Sequence, residues 1–221
     1  MRPSRRLLGE LRVASLLIYP SRPQTEADRA AREAVWAGIK QGRPAHVQRI
    51  AIRLSELPPE HPVRQLVPST AILIPVPRST PLSANAMWPA HEIAMALLTQ
   101  GIGTQISPVL QRVEPVRRST GARTILQREP PLRHFETIAA SPLSSLPQAT
   151  HFVLVDDVVT AGSTLIACAS HLRQLAPNAT ITAFTAARAD RNATLQQATD
   201  MFSPLVETIQ LFSDDGRPWR S

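Results

Sequence analysis

Between Val153 and Thr164 the chain reads Val-Leu-Val-Asp-Asp-Val-Val-Thr-Ala-Gly-Ser-Thr. An apolar run ends in two adjacent carboxylates, Asp156 and Asp157. Thr160, Ala161, Gly162, Ser163 and Thr164 follow at the opening of a helical pattern. In open parallel sheets, ligands bind outside the carboxyl ends of the strands. Residues 160–164 offer consecutive backbone N–H groups, hydroxyls and a helix N-terminus, a nest suited to a phosphate monoester. Gly162 permits positive φ and a close approach of the backbone. Two carboxylates beside such a nest would repel a phosphate unless they had other work. Binding sugar hydroxyls, with a magnesium ion nearby, is such work. A ligand with a 5-phosphate and free 2- and 3-hydroxyls satisfies every part. The plainer reading, in which the acids cap a turn and the hydroxyls cap a helix, leaves two acids after a fully apolar strand unexplained.

The elements that must position these residues follow from pattern. Val13 to Tyr19 reads as a first strand or core segment. Thr25 to Gln41 reads as a helix, with Thr25 and Asp28 in an approximate capping box and Gly42 and Pro44 as its stop. Ala45 to Leu54 has apolar residues at the spacing of a second amphipathic helix. The prolines from Pro58 to Pro68 suggest a linker. Ala71 to Val76 is a short apolar run, read as a buried strand, and Pro89 to Gln100 is helical. Ile106 to Leu110 suggests another strand. Residues 112–135 carry six arginines among Ser, Thr, Gly and Pro and read as a long polar loop, with or without a short helix; loops of that length are usually functional or disordered. Phe152 to Val155 is a strand, Asp156 to Ser163 a turn, Thr164 to Leu175 a helix, Ile181 to Ala186 a strand, and Ile209 to Phe212 a last one. This alternation predicts an α/β fold with a central parallel sheet flanked by helices. Residues 1–70 are expected to form a largely helical N-terminal region packed on a core domain of residues 71–221.

Composition sets outer limits. The chain has 221 residues, 43% hydrophobic, 19% charged and 4% aromatic. Those fractions exclude wholesale disorder and require an aliphatic core. Cys168 is the only cysteine, so there is no internal disulfide and no cysteine-rich zinc site, which suggests a reducing compartment. No apolar run approaches the roughly 20 residues of a membrane span, and no small-residue cleavage site follows Val13–Tyr19. The expected location is cytoplasmic, without a membrane partner. The formal charge is +7, and Lys40 is the only lysine among 24 basic residues. Arginine forks match phosphate oxygens, so phosphorylated small molecules, single-stranded DNA or RNA are candidate partners. A homodimer is the default assembly.

The Asp156–Thr164 motif resembles the signature of the type I phosphoribosyltransferases, which bind 5-phosphoribosyl-1-pyrophosphate. Thr160-Ala161-Gly162 is also similar to orotate phosphoribosyltransferase. Ile39-Lys40-Gln41-Gly42-Arg43, the helix after it, Ile74-Pro75-Val76-Pro77, the helix from Met87 to Leu98, and Leu110-Gln111-Arg112-Val113 resemble the ComF family of phosphoribosyltransferase-like proteins, in order and spacing from about residue 34 to 188. Many of its members begin with a cysteine-rich zinc module that this chain lacks.

The resemblance implies the type I phosphoribosyltransferase fold and transfer of a phosphoribosyl group to a nitrogenous base, releasing pyrophosphate, or binding of a nucleoside monophosphate. It implies that residues 160–164 hold the 5-phosphate. Asp156 and Asp157 would hold the ribose hydroxyls, directly or through Mg2+-bound water, and Asp157 would accept a proton from the base. Arg78, Ser79 and Arg112 would meet pyrophosphate. Arg112, Arg117 and Arg118 would belong to a flexible closing loop, against the rival reading of a solvated loop or nucleic-acid patch. The alternative function is a non-catalytic phosphoribosyl- or nucleotide-binding protein acting in DNA uptake, DNA processing or nucleic-acid regulation. Arg78 as the sole charge in the loop after Pro77 favours that alternative. His134 and His91 read as structural and surface residues, Trp88 as core packing rather than a base stack, and Asp214-Asp215-Gly216 as a turn.

Overall fold

The apolar segments meet in one sheet. In a computed structural model of the chain, residues 7–84, 86–117, 129–142, 151–211 and 218–221 are described. Arg118, the arginines at 123 and 128, and the Asp214–Gly216 turn lie outside them. The strands of the sheet are β1 (Glu10–Pro20), β2 (Ile72–Pro75), β3 (Gln105–Ile106), β6 (His151–Val159), β7 (Thr180–Asp190), β8 (Phe202–Leu211) and β9 (Pro218–Arg220). Their order is β3-β2-β6-β7-β1-β8-β9. The neighbours from β3 to β1 are parallel, and β8 and β9 are antiparallel additions. The fold is therefore α/β with a mostly parallel central sheet. β4 (Leu110–Arg112) and β5 (Ile138–Ala140) form a separate antiparallel pair.

Helices cover both faces, as parallel strands require. On one side lie α1 (Glu26–Glu33), α2 (Pro44–Glu56), α3 (Pro62–Leu66) and α4 (Pro89–Thr99). Val35, Ile50, Leu54, Val63, Ile93 and Leu97 from this side pack on Leu16, Val153, Val155 and Phe184. On the other side, α5 (Pro131–Glu136) and α6 (Ser163–Leu175) bring Phe135, Leu165, Ile166, Ala169 and Leu172 onto Leu11, Val13, Ile74, Phe152 and Leu154.

Several elements differ from expectation. β1 lies between β7 and β8, so the sheet draws strands from both sides of residue 70. The helix read as Thr25–Gln41 is α1 followed by a π-helical turn over Ala34–Ile39, in which the Lys40 N–H bonds the Val35 carbonyl at 3.0 Å. The proline linker contains α3, started by Pro62. At the ends of the 112–135 segment, Arg112 closes β4 and α5, the short helix that reading allowed, starts at Pro131. The pairing of β4 with β5 lies outside that expectation; strands of three residues carry no period to read. β6 runs on through the acidic pair to Val159, because it stays in register with β7 from His151↔Thr180 to Val159↔Arg188.

The capping box at Thr25 forms as expected, and its acid has a second role. Asp28 accepts from the N–H groups of Gln24 and Thr25, both at 2.9 Å, and of Leu195 at 2.8 Å. It thereby ties α1 to the segment after β7. These backbone bonds, with Leu195 the strongest, lower its carboxyl to about 2. The folded pKa lies below the unfolded one, so the stabilisation is complete above about pH 4 and lost as pH falls through about 2. Asp28→Asn should lower the urea midpoint at pH 7, and its gap from wild type should narrow between pH 4 and pH 2. A gap constant across that range would disprove the assignment.

Candidate functional site

β6 carries the acidic pair to the carboxyl edge of the sheet. Gly162 then turns the chain into α6 with φ +91°. That conformation is open to glycine and costly for other residues. No side chain caps α6 among the described residues, so its first N–H groups point, without helical partners, at whatever lies beyond. The nest is backed from below. Ile209 of β8 fills the space where a Gly162 side chain would be, and Arg220 of β9 donates to the carbonyls of Val159 and Ala189 while pairing with Glu207 at 3.1 Å.

A cleft of about 430 Å³ opens over this edge. Thr160, Ala161, Gly162, Ser163 and Thr164 line it, as do Asp156, Asp157, Arg78, Ser79 and Arg112. These ten residues thus border one cavity. Among the described residues no helix is long and apolar enough to cross a membrane.

The two carboxylates are locally braced. Asp156 Oδ1 accepts from the Asp157 N–H at 2.9 Å, and Asp157 Oδ1 from the Val158 N–H at 2.7 Å. Desolvation, and then the neighbouring charge of Asp157, hold the Asp156 carboxyl well above the ordinary carboxylate range. Asp157 Oδ2 lies 3.2 Å from Lys40 Nζ, and both side chains are about one-fifth exposed. Nothing in the sequence pattern assigned Lys40 a role. Its marks in the sequence were its place in the Ile39–Arg43 segment and its being the sole lysine in an arginine-rich chain.

Arg112 is positioned differently from the resemblance-based expectation. It sits on β4, not in a closing loop, and is 5% exposed. Nε donates to the Arg78 carbonyl at 3.0 Å, Nη1 to Thr137 Oγ1 at 2.6 Å and to the His134 carbonyl at 3.3 Å, and Nη2 lies 3.3 Å from His134 Nδ1. Its guanidinium is a structural hub at the border of the cleft. Arg117 is exposed at the rim. Trp88 also lines the cleft and is half-buried, with Nε1 donating to the Val76 carbonyl at 2.8 Å. His91 is on α4, 3.7 Å from Glu92.

His134 is buried beneath the nest, with Thr164 Oγ1 3.4 Å from its Nδ1. Burial, and then the Arg112 charge, lower it to about 4. It is neutral at pH 7, with Nδ1 free to accept from Arg112. An unfolded histidine titrates near 6.5, so between about pH 4 and 6.5 the unfolded chain holds the extra proton and stability rises with pH, by about 3 kcal/mol in all. Urea unfolding of His134→Gln at pH 4.5 and pH 7 should show a flatter dependence than wild type. A residual slope is expected from His151 and His171, which burial lowers in the same direction. An unchanged slope would place His134 outside the acid response.

The donor set fits one kind of metal. No group of three or more His, Cys, Asp or Glu side chains capable of holding an ion occurs among the described residues. Two adjacent carboxylates suit a magnesium ion that keeps its waters and takes its remaining oxygens from a ligand's phosphates. No protein-family model matches the chain, and no curated protein matches it in sequence.

Proposed function

We propose that this cleft binds a 5-phosphorylated ribose, with phosphoribosyl pyrophosphate and magnesium as the reactive form, and that the protein is a phosphoribosyltransferase of the type I, ComF-like kind. One observation supports the reading above the others. β6 delivers Asp156 and Asp157 to the sheet edge, and within five residues the chain forms an uncapped helix start through a left-handed Gly162, all in one cleft.

The roles follow from chemistry. The N–H groups and hydroxyls of residues 160–164 hold the 5-phosphate. Asp156 and Asp157 accept from the ribose hydroxyls. Bound magnesium would neutralise charge on the pyrophosphate as it leaves. The C1–O bond breaks with its electron pair on pyrophosphate, and the C1–N bond forms from the base nitrogen, through an oxocarbenium-like state. Arg78, Ser79 and Arg112 line the side of the cleft where the leaving group would sit, so most of the rate gain is positioning and electrostatics. The nitrogen's proton goes to a carboxylate. Asp157 is engaged by Lys40 at 3.2 Å, which leaves Asp156, without a cationic partner of its own among the described residues, as the carboxylate to take that proton.

A second reading rests on Arg112. Its commitment to four acceptor atoms on three residues leaves half-buried Arg78 and exposed Arg117 as the other cations lining the cleft beside Lys40. That suits a protein that binds phosphoribosyl ligands or nucleotides without turnover, with nucleic acid as a separate, salt-dependent partner. Thermal unfolding with magnesium and phosphoribosyl pyrophosphate tests both readings. A ligand selective for the native state raises the midpoint with its concentration. A shift with pyrophosphate release on adding bases supports transfer. A shift without release supports binding alone. No shift with any phosphoribosyl ligand rejects both.

A further inference from the structure

The cleft has two chemically different far walls. Residues 160–164 approach from the α6 face of the sheet, and the acidic pair forms the floor. Arg78, Arg112 and Arg117 make one wall, which is cationic. The other comes from the opposite sheet face and carries Trp36, Lys40, Gln41 and Met87. Trp36 is 43% exposed and Met87 47%. Neither holds the core together, because Val35 and Ile39 take the buried positions of that turn.

Local backbone explains the display. The π-helical turn over Ala34–Ile39 puts an extra residue into the helix, and such turns concentrate at functional sites. Trp36 and Lys40 both reach the cleft from it. Gly42, at φ +59°, then lets the chain turn under Met87, whose Sδ lies against the Gly42 backbone. This wall therefore offers an exposed indole face, a thioether, the Gln41 amide and one ammonium already neutralised by Asp157 at 3.2 Å. Among the described residues lining it there is no unpaired charge.

Resting on the phosphoribosyl reading, we propose that Trp36, Gln41 and Met87 form the acceptor subsite, and that it takes an uncharged heteroaromatic ring rather than a carboxylated one. An anion belongs on the arginine wall. A planar neutral ring gains stacking on Trp36, and an amide edge gains hydrogen bonds from Gln41. Stacking of a base on an aromatic side chain should tighten binding by roughly tenfold.

Calorimetry with magnesium tests this on the intact chain, using ribose 5-phosphate, adenosine, guanosine and uridine 5′-monophosphates, and orotidine 5′-monophosphate as the ring carboxylate. At least one neutral nucleotide should bind about tenfold tighter than ribose 5-phosphate, and orotidine monophosphate should not. Trp36→Ala should remove that gain and leave ribose 5-phosphate unchanged, and Trp36→Phe should keep most of it. Trp36 is exposed, so its removal leaves the core intact. Binding of ribose 5-phosphate without any base-dependent gain overturns the subsite alone, as does a preference for orotidine monophosphate. Equal weakening of all ligands by Trp36→Ala overturns it too, by making Trp36 structural. Absence of ribose 5-phosphate binding overturns the phosphoribosyl reading, and the subsite with it.

Discussion

Gly162→Ala is expected to destabilise the protein by about 2–6 kcal/mol and to abolish binding at the phosphate nest. Two independent costs add. At φ +91° an alanine is strained by about 1–3 kcal/mol. Its Cβ would also collide with Cδ1 of Ile209 and sit 3.0 Å from Cγ1 and Cγ2 of the same side chain. Ile209 is fully buried, and overpacking a dense core costs about 1–3 kcal/mol. Either relief, turning the peptide or lifting the 160–164 segment off β8, moves the N–H groups that form the nest. Urea unfolding measures the first effect, and titration with ribose 5-phosphate measures the second. Ile209→Val in the Gly162→Ala background should recover part of the stability, because it removes one methyl, but not the backbone term. A Gly162→Ala protein with wild-type stability and wild-type ligand affinity would mean that the left-handed turn is incidental.

The acidic pair is expected to separate stability from binding. Asp156 is held above its ordinary range by desolvation and by Asp157. For a carboxyl whose folded pKa is raised, the folded state loses stability as pH rises through the ordinary range toward the folded value. Asp156→Asn therefore removes a penalty at pH 7 and should raise the melting temperature. Asp157→Asn acts the other way. It leaves Lys40, about four-fifths covered, without its carboxylate, and a partly buried charge stripped of its partner is destabilising. Each single variant should bind the ligand roughly tenfold more weakly. Losing two charge-assisted acceptors of about 1.5 kcal/mol each predicts roughly a hundredfold weaker magnesium-dependent binding of phosphoribosyl pyrophosphate for the double variant. Stabilising substitutions that damage function are common where a strained site does the chemistry. Thermal melts and calorimetry on both single variants and the double one make the comparison. Unchanged ligand affinity in the double variant would remove the acids from the site. Destabilisation by Asp156→Asn would show that its carboxylate is better solvated than its position indicates.

Local patterns reached the strand–acid–nest segment because all its information lies within a dozen consecutive residues. An apolar run, two acids, a glycine and three hydroxyls dictate a strand, an edge and a helix start with little help from elsewhere. The capping box at Thr25 and the helices α2, α4 and α6 follow from the same short-range rules, and the structure places them within a few residues of where periodicity does. Long-range pairing was invisible. β4 and β5 are three residues each and become strands only by meeting one another. β6 extends past its acids because β7 stays in register beside them.

The same limit explains the side chains that pattern missed or misassigned. Lys40 meets Asp157 across 117 residues of chain, and the π-helical turn that presents Trp36 and Lys40 has no periodic signature. Arg112 looks like any loop arginine until α5 and β5 fold around it, and burial then turns it from a mobile cation into a hub. Residue types and near-neighbour spacing decide which backbone segments make a nest, since those forces act over one or two turns. Which distant charges pair, and which aromatic faces the cleft, depends on how helices from both sheet faces converge at one edge.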